Sequence, residues 1–306
     1  MRGASWLAAA LAVIALVAGL PGLSEIGVTW DEPRYFQSVE RVQTWAARAA
    51  GGELREMLTP EAIRAAWDVD RFFNPHPPAY KVGMAVTEAV FGGWLGQLAG
   101  YRLSNLLAFA LLVGLLSAWT ARLASPAAGL AAGLSLLLMP RMFGHAHIGA
   151  TDVPLTLFWV VGSMGVLFYA RDGRARWILA AGVAFGLGCA TKFTAFLLPV
   201  PLLAWMLVAA RSKRALRGLI FTVAVAMLVA VLVNPAAWPD PIAYQSRLVE
   251  ESLNRETVVP ISTYYAGRAY EYVVPWHHVI VMSLASLPVT ILALALVGLK
   301  ALERAG

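Results

Sequence analysis

The sequence predicts an all-α polytopic membrane protein with about eight spanning helices and two long outer loops. Two observations predict this class. Of the 306 residues, 59% are hydrophobic and 14% are charged, and the mean hydropathy is +0.66, whereas soluble domains are roughly 45–50% apolar. The apolar residues also form runs that approach the length of about 20 residues that crosses a bilayer.

Eight apolar segments are the candidate spans. With approximate bounds, they cover residues 5–23, 102–122, 126–143, 153–170, 176–191, 193–210, 217–234 and 277–299. The first segment is also typical of a cleaved signal peptide, but the many apolar runs that follow make a separate signal unnecessary and favour an uncleaved anchor.

The basic residues indicate which loops face the cytoplasm. Those in the short loops share one side if every segment spans, with Arg141 as the exception: Arg2, Arg122, Arg171, Arg174, Arg176, Arg211, Lys213, Arg214, Arg217, Lys300 and Arg304. The positive-inside rule makes that side cytoplasmic, so the loops 24–100 and 235–276 lie outside. The formal charge of +6 therefore reflects topology, and no nucleic-acid partner is expected. The single cysteine, Cys189, excludes an internal disulfide and a cysteine metal site.

The first outer loop is predicted to contain amphipathic helices. In the stretch "YFQSVERVQTWAARAAG", Phe36, Val39, Val42 and Trp45 recur at helical spacing. Such a helix would lie along the membrane interface, with Trp45 and Trp67 at headgroup level. The prolines of "FFNPHPPAYK" then end the helical pattern and turn the chain back toward the membrane.

Adjacent carboxylates, Asp31 and Glu32, follow the first span in "TWDEPRYF". Arg34 is close enough in sequence to offset their charge. Asp31 is also a good N-cap residue for the amphipathic helix, with Pro33 suited to its first turn. The residues alone leave catalysis and capping both open.

Four motifs occur in order along the chain: "TWDEPRYF", "NPHPPAY", "GHAHIGATDVPLTLFW" and "ATKFTAFLLPVPLL". Together they resemble the GT-C glycosyltransferases, specifically glycosyltransferase family 39, whose relatives include protein O-mannosyltransferases and lipid A aminoarabinose transferases. The resemblance implies a GT-C transmembrane helical bundle and one domain over residues 1–306, as the N-terminal part of a larger module.

The resemblance also implies the reaction. A sugar would move from a polyprenyl-phosphate-linked donor to a hydroxyl of a lipid, polysaccharide or protein acceptor, with inversion, on the outer face of a bacterial inner membrane. Asp31 would be the catalytic general base, Glu32 would support the site and Arg34 would contact the donor phosphate. The other predicted substrate-binding residues are His76, His145, Asp152 and Lys192.

Several alternatives stay open at this level. His145, His147 and Asp152 could hold a divalent metal ion, although a full ligand set is missing, and no other cofactor is implied. Pro75 and His76 stand where the aminoarabinose transferases carry Glu and Lys, which disfavours lipid A as acceptor and a bound zinc ion. Lys192 could instead extend to the membrane surface.

Other functions also remain open. A multi-helix transporter or lipid flippase is one, but its charges would be expected near mid-membrane. A catalytically inactive, truncated homologue is another.

Overall fold

The computed structural model describes residues 2–68, 76–205, 213–253, 262–271 and 273–303. The predictions for Pro75, Arg211 and Arg304, and for residues 206–210 of the sixth span, fall outside these ranges.

The described chain is almost entirely helical, which confirms the all-α class. In chain order, the helices are α1 (Arg2–Gly19), α2 (Gly22–Glu25), α3 (Glu32–Arg48), α4 (Leu54–Met57), α5 (Pro60–Trp67), α6 (Ala79–Leu95), α7 (Gln97–Leu123), α8 (Pro126–Leu137), α9 (Pro140–His145), α10 (Asp152–Asp172), α11 (Ala175–Cys189), α12 (Pro199–Trp205), α13 (Lys213–Leu232), α14 (Pro241–Leu253), α15 (His278–Ser286) and α16 (Val289–Glu303).

Every predicted span corresponds to an apolar helix, but not every helix is long enough to cross a membrane. Among the described residues, three are long and apolar enough: Ser5–Glu25, Gln97–Leu123 and Asp152–Asp172. α15 and α16 would make a fourth if they form one span, although they meet at an angle of 100°. Shorter apolar helices occupy the other four positions: Pro126–Leu137, Ala175–Cys189, Phe193–Leu202 and Leu216–Leu232. The described helices are therefore those of a polytopic membrane protein, and three or four of them reach full spanning length by themselves.

Prolines explain two of the shortened spans. The segment predicted to continue to residue 143 ends its helix at Leu137, and Met139 is extended, with φ −76° and ψ 109°, just before Pro140. The last predicted span breaks in the same way at Leu287, which is extended before Pro288. A residue that precedes proline is disfavoured in the helical region, and proline has no N–H to donate.

Arginines from the predicted cytoplasmic loops meet at one end of the helical bundle. At one end, Arg122 of α7 pairs with Asp172 of α10 at 3.5 Å, and Gly173 lies against the Arg214 guanidinium. Residues from three of the predicted cytoplasmic clusters therefore meet. At the opposite end, His147 Nε2 lies 3.0 Å from the Gly19 carbonyl oxygen. The core between these ends packs α1 against α7 and α8.

The predicted amphipathic helix is α3, and its predicted place at the headgroups stays a prediction. Its apolar face packs against α5 and α6. Trp45 and Trp67 contact each other edge to face at 5.3 Å, and Trp67 is buried. Trp45 Nε1 donates to the Met57 carbonyl at 2.8 Å, because α4 and α5 fold back along α3.

The two long loops that were predicted to lie outside contact each other. Asp68 at the end of α5 forms a two-pronged ion pair with Arg247 of α14. Ala236, in the 3₁₀ turn Pro235–Ala237, packs beside Trp45 and Trp67. The loops 24–100 and 235–276 thus lie at the same end of the molecule.

A β-hairpin in the second loop was not predicted. β1 (Ser262–Tyr265) pairs antiparallel with β2 (Arg268–Glu271). The turn residues Ala266 and Gly267 both have positive φ, 51° and 80°, as the tightest two-residue hairpin turns require. The usual sequence pattern of such a turn has Asn, Asp or Gly at the first position, and Ala266 does not match it.

Candidate functional site

A buried ion pair between Glu32 and Arg102 organises the end of the bundle where the motifs meet. Neither side chain has exposed surface. Arg102 Nε and Nη2 donate to the two carboxylate oxygens of Glu32, each at 2.7 Å. Its remaining N–H groups donate to the carbonyl oxygens of Leu23, Ile26 and Gly27 at 2.9, 2.7 and 3.0 Å. All five guanidinium N–H groups are thus used, and the chain between α1 and α3 is held against α7.

Glu32 also accepts hydrogen bonds from two other segments. The Thr29 N–H and hydroxyl donate to Oε2 at 2.8 and 3.1 Å, and the Gly149 N–H donates to Oε1 at 2.8 Å. Burial by itself would raise the pKa of Glu32, but the Arg102, Thr29 and Gly149 hydrogen bonds outweigh burial and lower it. Glu32 is therefore ionised and saturated, which favours a supporting role over direct substrate contact.

The charge partner of Glu32 differs from the one expected. Sequence proximity suggested Arg34, whereas the structure supplies Arg102 from 70 residues away. Arg34 is half-buried on the first turn of α3, and its predicted contact with donor phosphate remains a prediction. A signal for Arg102 existed, because an arginine within a predicted span is rare and is usually paired or functional.

Asp31 differs sharply from its neighbour Glu32. It occupies the N-cap position of α3 but makes no side-chain capping bond, so the expected capping role is wrong. Its side chain is exposed and makes no hydrogen bond to the part of the chain described here. Of the two adjacent carboxylates, Asp31 alone presents its oxygens to solvent.

Aromatic rings connect the start of α3 to His76. Tyr35 is buried, and its ring meets the Tyr80 ring edge on at 5.3 Å and the His76 ring at 6.0 Å. The Ala79 N–H donates to the Ala190 carbonyl oxygen at 2.7 Å. This bond fixes the His76 segment beside the end of α11, two residues before Lys192.

Three predicted site residues meet at the start of α10. Lys192 Nζ donates to Asp152 Oδ1 at 2.8 Å, and His145 Nδ1 lies 3.9 Å from Asp152 Oδ2. His76 is also close enough to Asp152 for an electrostatic interaction. Asp152 is the first residue of α10, and Thr151 holds the N-cap position. The fold therefore brings His76 and Lys192 to the segment that carries His145 and Asp152, so that three separate parts of the chain meet.

His147 cannot serve as a ligand in the alternative metal site with His145 and Asp152. His147 is buried, with Nδ1 2.7 Å from the Phe143 carbonyl and Nε2 3.0 Å from the Gly19 carbonyl. Both ring nitrogens are thus occupied by α1 and α9. Across the described ranges, no three His, Cys, Asp or Glu side chains come close enough to hold a metal ion.

Lys81 is a buried cation that the sequence reading overlooked. It has no exposed surface, and Nζ has no hydrogen-bond partner in the described chain. Burial and, to a smaller extent, the charge of Arg41 lower the pKa of Lys81 to about 7. The charge of Asp68 acts in the opposite direction and raises it. Such a buried amine is uncommon outside functional or ligand-contacting positions.

One family of known proteins matches the chain. The sequence model of the family described as dolichyl-phosphate-mannose-protein mannosyltransferase matches residues 75–238, more than half of the chain. The match includes His76, Arg102, His145, Asp152 and Lys192, and it begins after Asp31. No curated protein sequence matches the chain. The chain thus belongs to the dolichyl-phosphate-mannose-protein mannosyltransferase family, a family of GT-C membrane glycosyltransferases.

Proposed function

We propose that the chain transfers a sugar from a polyprenyl-phosphate-linked donor to an acceptor hydroxyl, with Asp31 as the general base. Asp31 takes the proton of the acceptor hydroxyl while the acceptor oxygen forms a bond to the anomeric carbon. The bond from that carbon to the phosphate oxygen breaks, and its electron pair leaves with the lipid phosphate. A single displacement of this kind inverts the anomeric centre.

The contrast between the two carboxylates carries the proposal. Glu32 has both oxygens engaged by Arg102, Thr29 and Gly149, so it cannot approach an acceptor. Asp31 is exposed and is held in place by the residue next to it. A rigid support beneath an accessible base is the arrangement that general base catalysis requires.

The Asp152 cluster supplies the donor side of the proposed site. Asp152 uses one of the three N–H groups of Lys192, which leaves two for phosphate oxygens. His76 and His145 lie beside the same carboxylate. Cations near a departing phosphate stabilise the charge that develops on it.

The orientation of the site follows from the two ends of the bundle. The arginine-rich end, with Arg122 and Arg174 beside Asp172, is the cytoplasmic end by the positive-inside rule. The candidate site and both outer loops lie at the other end, so we place the reaction on the outer face of a bacterial inner membrane. The acceptor is a lipid, polysaccharide or protein hydroxyl.

Asp31→Asn tests this function. Asparagine keeps the size of the side chain but cannot accept the proton, so transfer should fall by roughly 10²–10⁴-fold. Radiolabelled sugar transfer from a polyprenyl-phosphate donor is measured in membranes, with expression level as the folding control. Asp172→Asn, at the opposite end of the bundle, is the matched variant and should keep its activity. Parental activity in Asp31→Asn would remove Asp31 from the mechanism.

A further inference from the structure

The Tyr80 hydroxyl is buried without a hydrogen-bond partner. Tyr80 is the second residue of α6 and is 2% exposed. Its Oη makes no hydrogen bond to any part of the chain that the structure describes. Buried hydroxyl groups almost always have a partner, because losing water without a replacement is unfavourable. An orphaned hydroxyl beside a candidate active site therefore points to a ligand.

The surroundings of Tyr80 are those of the candidate site. Its ring meets Tyr35 edge on, and Tyr35 in turn contacts His76. Burial, followed by the effects of Tyr35 and Asp31, raises the pKa of Tyr80 well above its usual value. The phenol therefore keeps its proton at any working pH and acts as a hydrogen-bond donor near Asp31.

A second unpartnered donor lies beside it. Lys81 Nζ is 5.9 Å from the centre of the Tyr80 ring and also lacks a hydrogen-bond partner among the described residues. The first turn of α6 thus holds two buried donors with no acceptor from the described chain. A ligand that satisfies both donors must be a hydrogen-bond acceptor, and an anion fits best because the Lys81 amine becomes positively charged when it binds a proton.

On the basis of the proposed function, we propose that the Tyr80 hydroxyl donates a hydrogen bond to a phosphate oxygen of the lipid-linked sugar donor. As the bond between the anomeric carbon and the phosphate breaks, negative charge grows on the phosphate, and a fixed donor becomes more favourable. No proton is transferred from Tyr80. Tyr80 is a catalytic residue in this proposal because it contacts the phosphate leaving group, whereas Asp31 acts on the acceptor hydroxyl.

Tyr80→Phe is a clean test, because it removes one oxygen and keeps the ring packed against Tyr35. Tyr101→Phe is the matched control. Tyr101 is also buried and belongs to the same aromatic cluster, but its hydroxyl accepts a hydrogen bond from Gln97 Nε2 at 3.2 Å. The two variants differ in whether the lost hydroxyl already has a partner inside the protein.

Purified wild type and both variants are compared by thermal unfolding in detergent, first without ligand and then with polyprenyl phosphate or the phosphate-free polyprenol. Without ligand, Tyr80→Phe should unfold at a temperature no lower than wild type, because it removes an unsatisfied group. Its affinity for polyprenyl phosphate should fall about tenfold, and kcat/KM for transfer about 10- to 100-fold, the range expected for one charge-assisted hydrogen bond. Affinity for polyprenol should be unchanged, and Tyr101→Phe should match wild type in binding and transfer.

Different results overturn different statements. If Tyr80→Phe binds polyprenyl phosphate and transfers sugar as wild type does, the role of Tyr80 is wrong while the proposed function stands. A lower unfolding temperature without ligand would show that the hydroxyl has a structural partner, and equal losses for polyprenol and polyprenyl phosphate would show a packing effect. Either result overturns the role of Tyr80. If wild type neither binds polyprenyl phosphate nor transfers sugar, the proposed function fails together with this inference.

Discussion

Replacing Arg102 by methionine should destabilise the protein strongly. The change leaves Glu32 as a buried carboxylate with no counter-charge, which by itself costs about 3–5 kcal/mol. The carbonyl oxygens of Leu23, Ile26 and Gly27 also lose their donor, at about 1–3 kcal/mol for each group that stays unsatisfied. We therefore expect a loss of at least about 3–5 kcal/mol, which lowers the unfolding temperature by roughly 6 °C or more.

Thermal unfolding of the purified protein in detergent measures this effect. Arg64→Met is the matched control, because Arg64 pairs with Glu61 on the surface, with side chains 61% and 77% exposed, and such pairs contribute about 0–1 kcal/mol. The double variant Arg102→Met with Glu32→Leu should recover part of the lost stability, because it removes the uncompensated charge. Equal unfolding temperatures for Arg102→Met and Arg64→Met, or a double variant less stable than Arg102→Met, would refute the assigned ion pair.

Two further predictions concern pH and topology. The pKa of Lys81 falls to about 7 on folding. Between about pH 7 and pH 10, the unfolded chain therefore binds a proton at Lys81 that the folded chain does not bind. The free energy of unfolding should rise with pH across that window. In Lys81→Met this rise should be absent from unfolding curves collected at pH 7, 8 and 9, and a rise as steep as in wild type would contradict the assignment. A reporter that is active only outside the cytoplasm should be active when fused after Arg247 and inactive when fused after Arg174; the reverse pattern would place Asp31 in the cytoplasm.

The all-α class and the positions of the apolar helices could be predicted from the sequence alone. Hydrophobic content and run length are local properties, and a bilayer demands internally bonded helices wherever such runs cross it. The amphipathic α3 followed from the spacing of Phe36, Val39 and Val42 for a similar reason. The motifs around His76, His145, Asp152 and Lys192 were also visible, because their residue types stand out within an apolar chain.

Helix lengths and tryptophan positions depended on the folded chain. Pro140 and Pro288 were visible in the sequence, yet apolar composition alone extended the predicted spans beyond them. Trp45 and Trp67 were assigned to the membrane surface because aromatic residues are common there. Their actual contact needs α5 to fold back on α3, which no local pattern specifies.

The surroundings of each chemical group at the candidate site could not be predicted from the sequence. Asp31 and Glu32 are adjacent and nearly identical in chemistry, yet one is exposed and the other is saturated by Arg102 and Gly149, from 70 and 117 residues away. His147 was a candidate metal ligand in the sequence, but α1 and α9 occupy both of its ring nitrogens. Nothing in the sequence distinguished Tyr80, whose hydroxyl has no partner in the described part of the chain. Hydrogen-bond partners and burial are set by contacts between distant segments, so the roles of these side chains follow from the fold and not from their place in the chain.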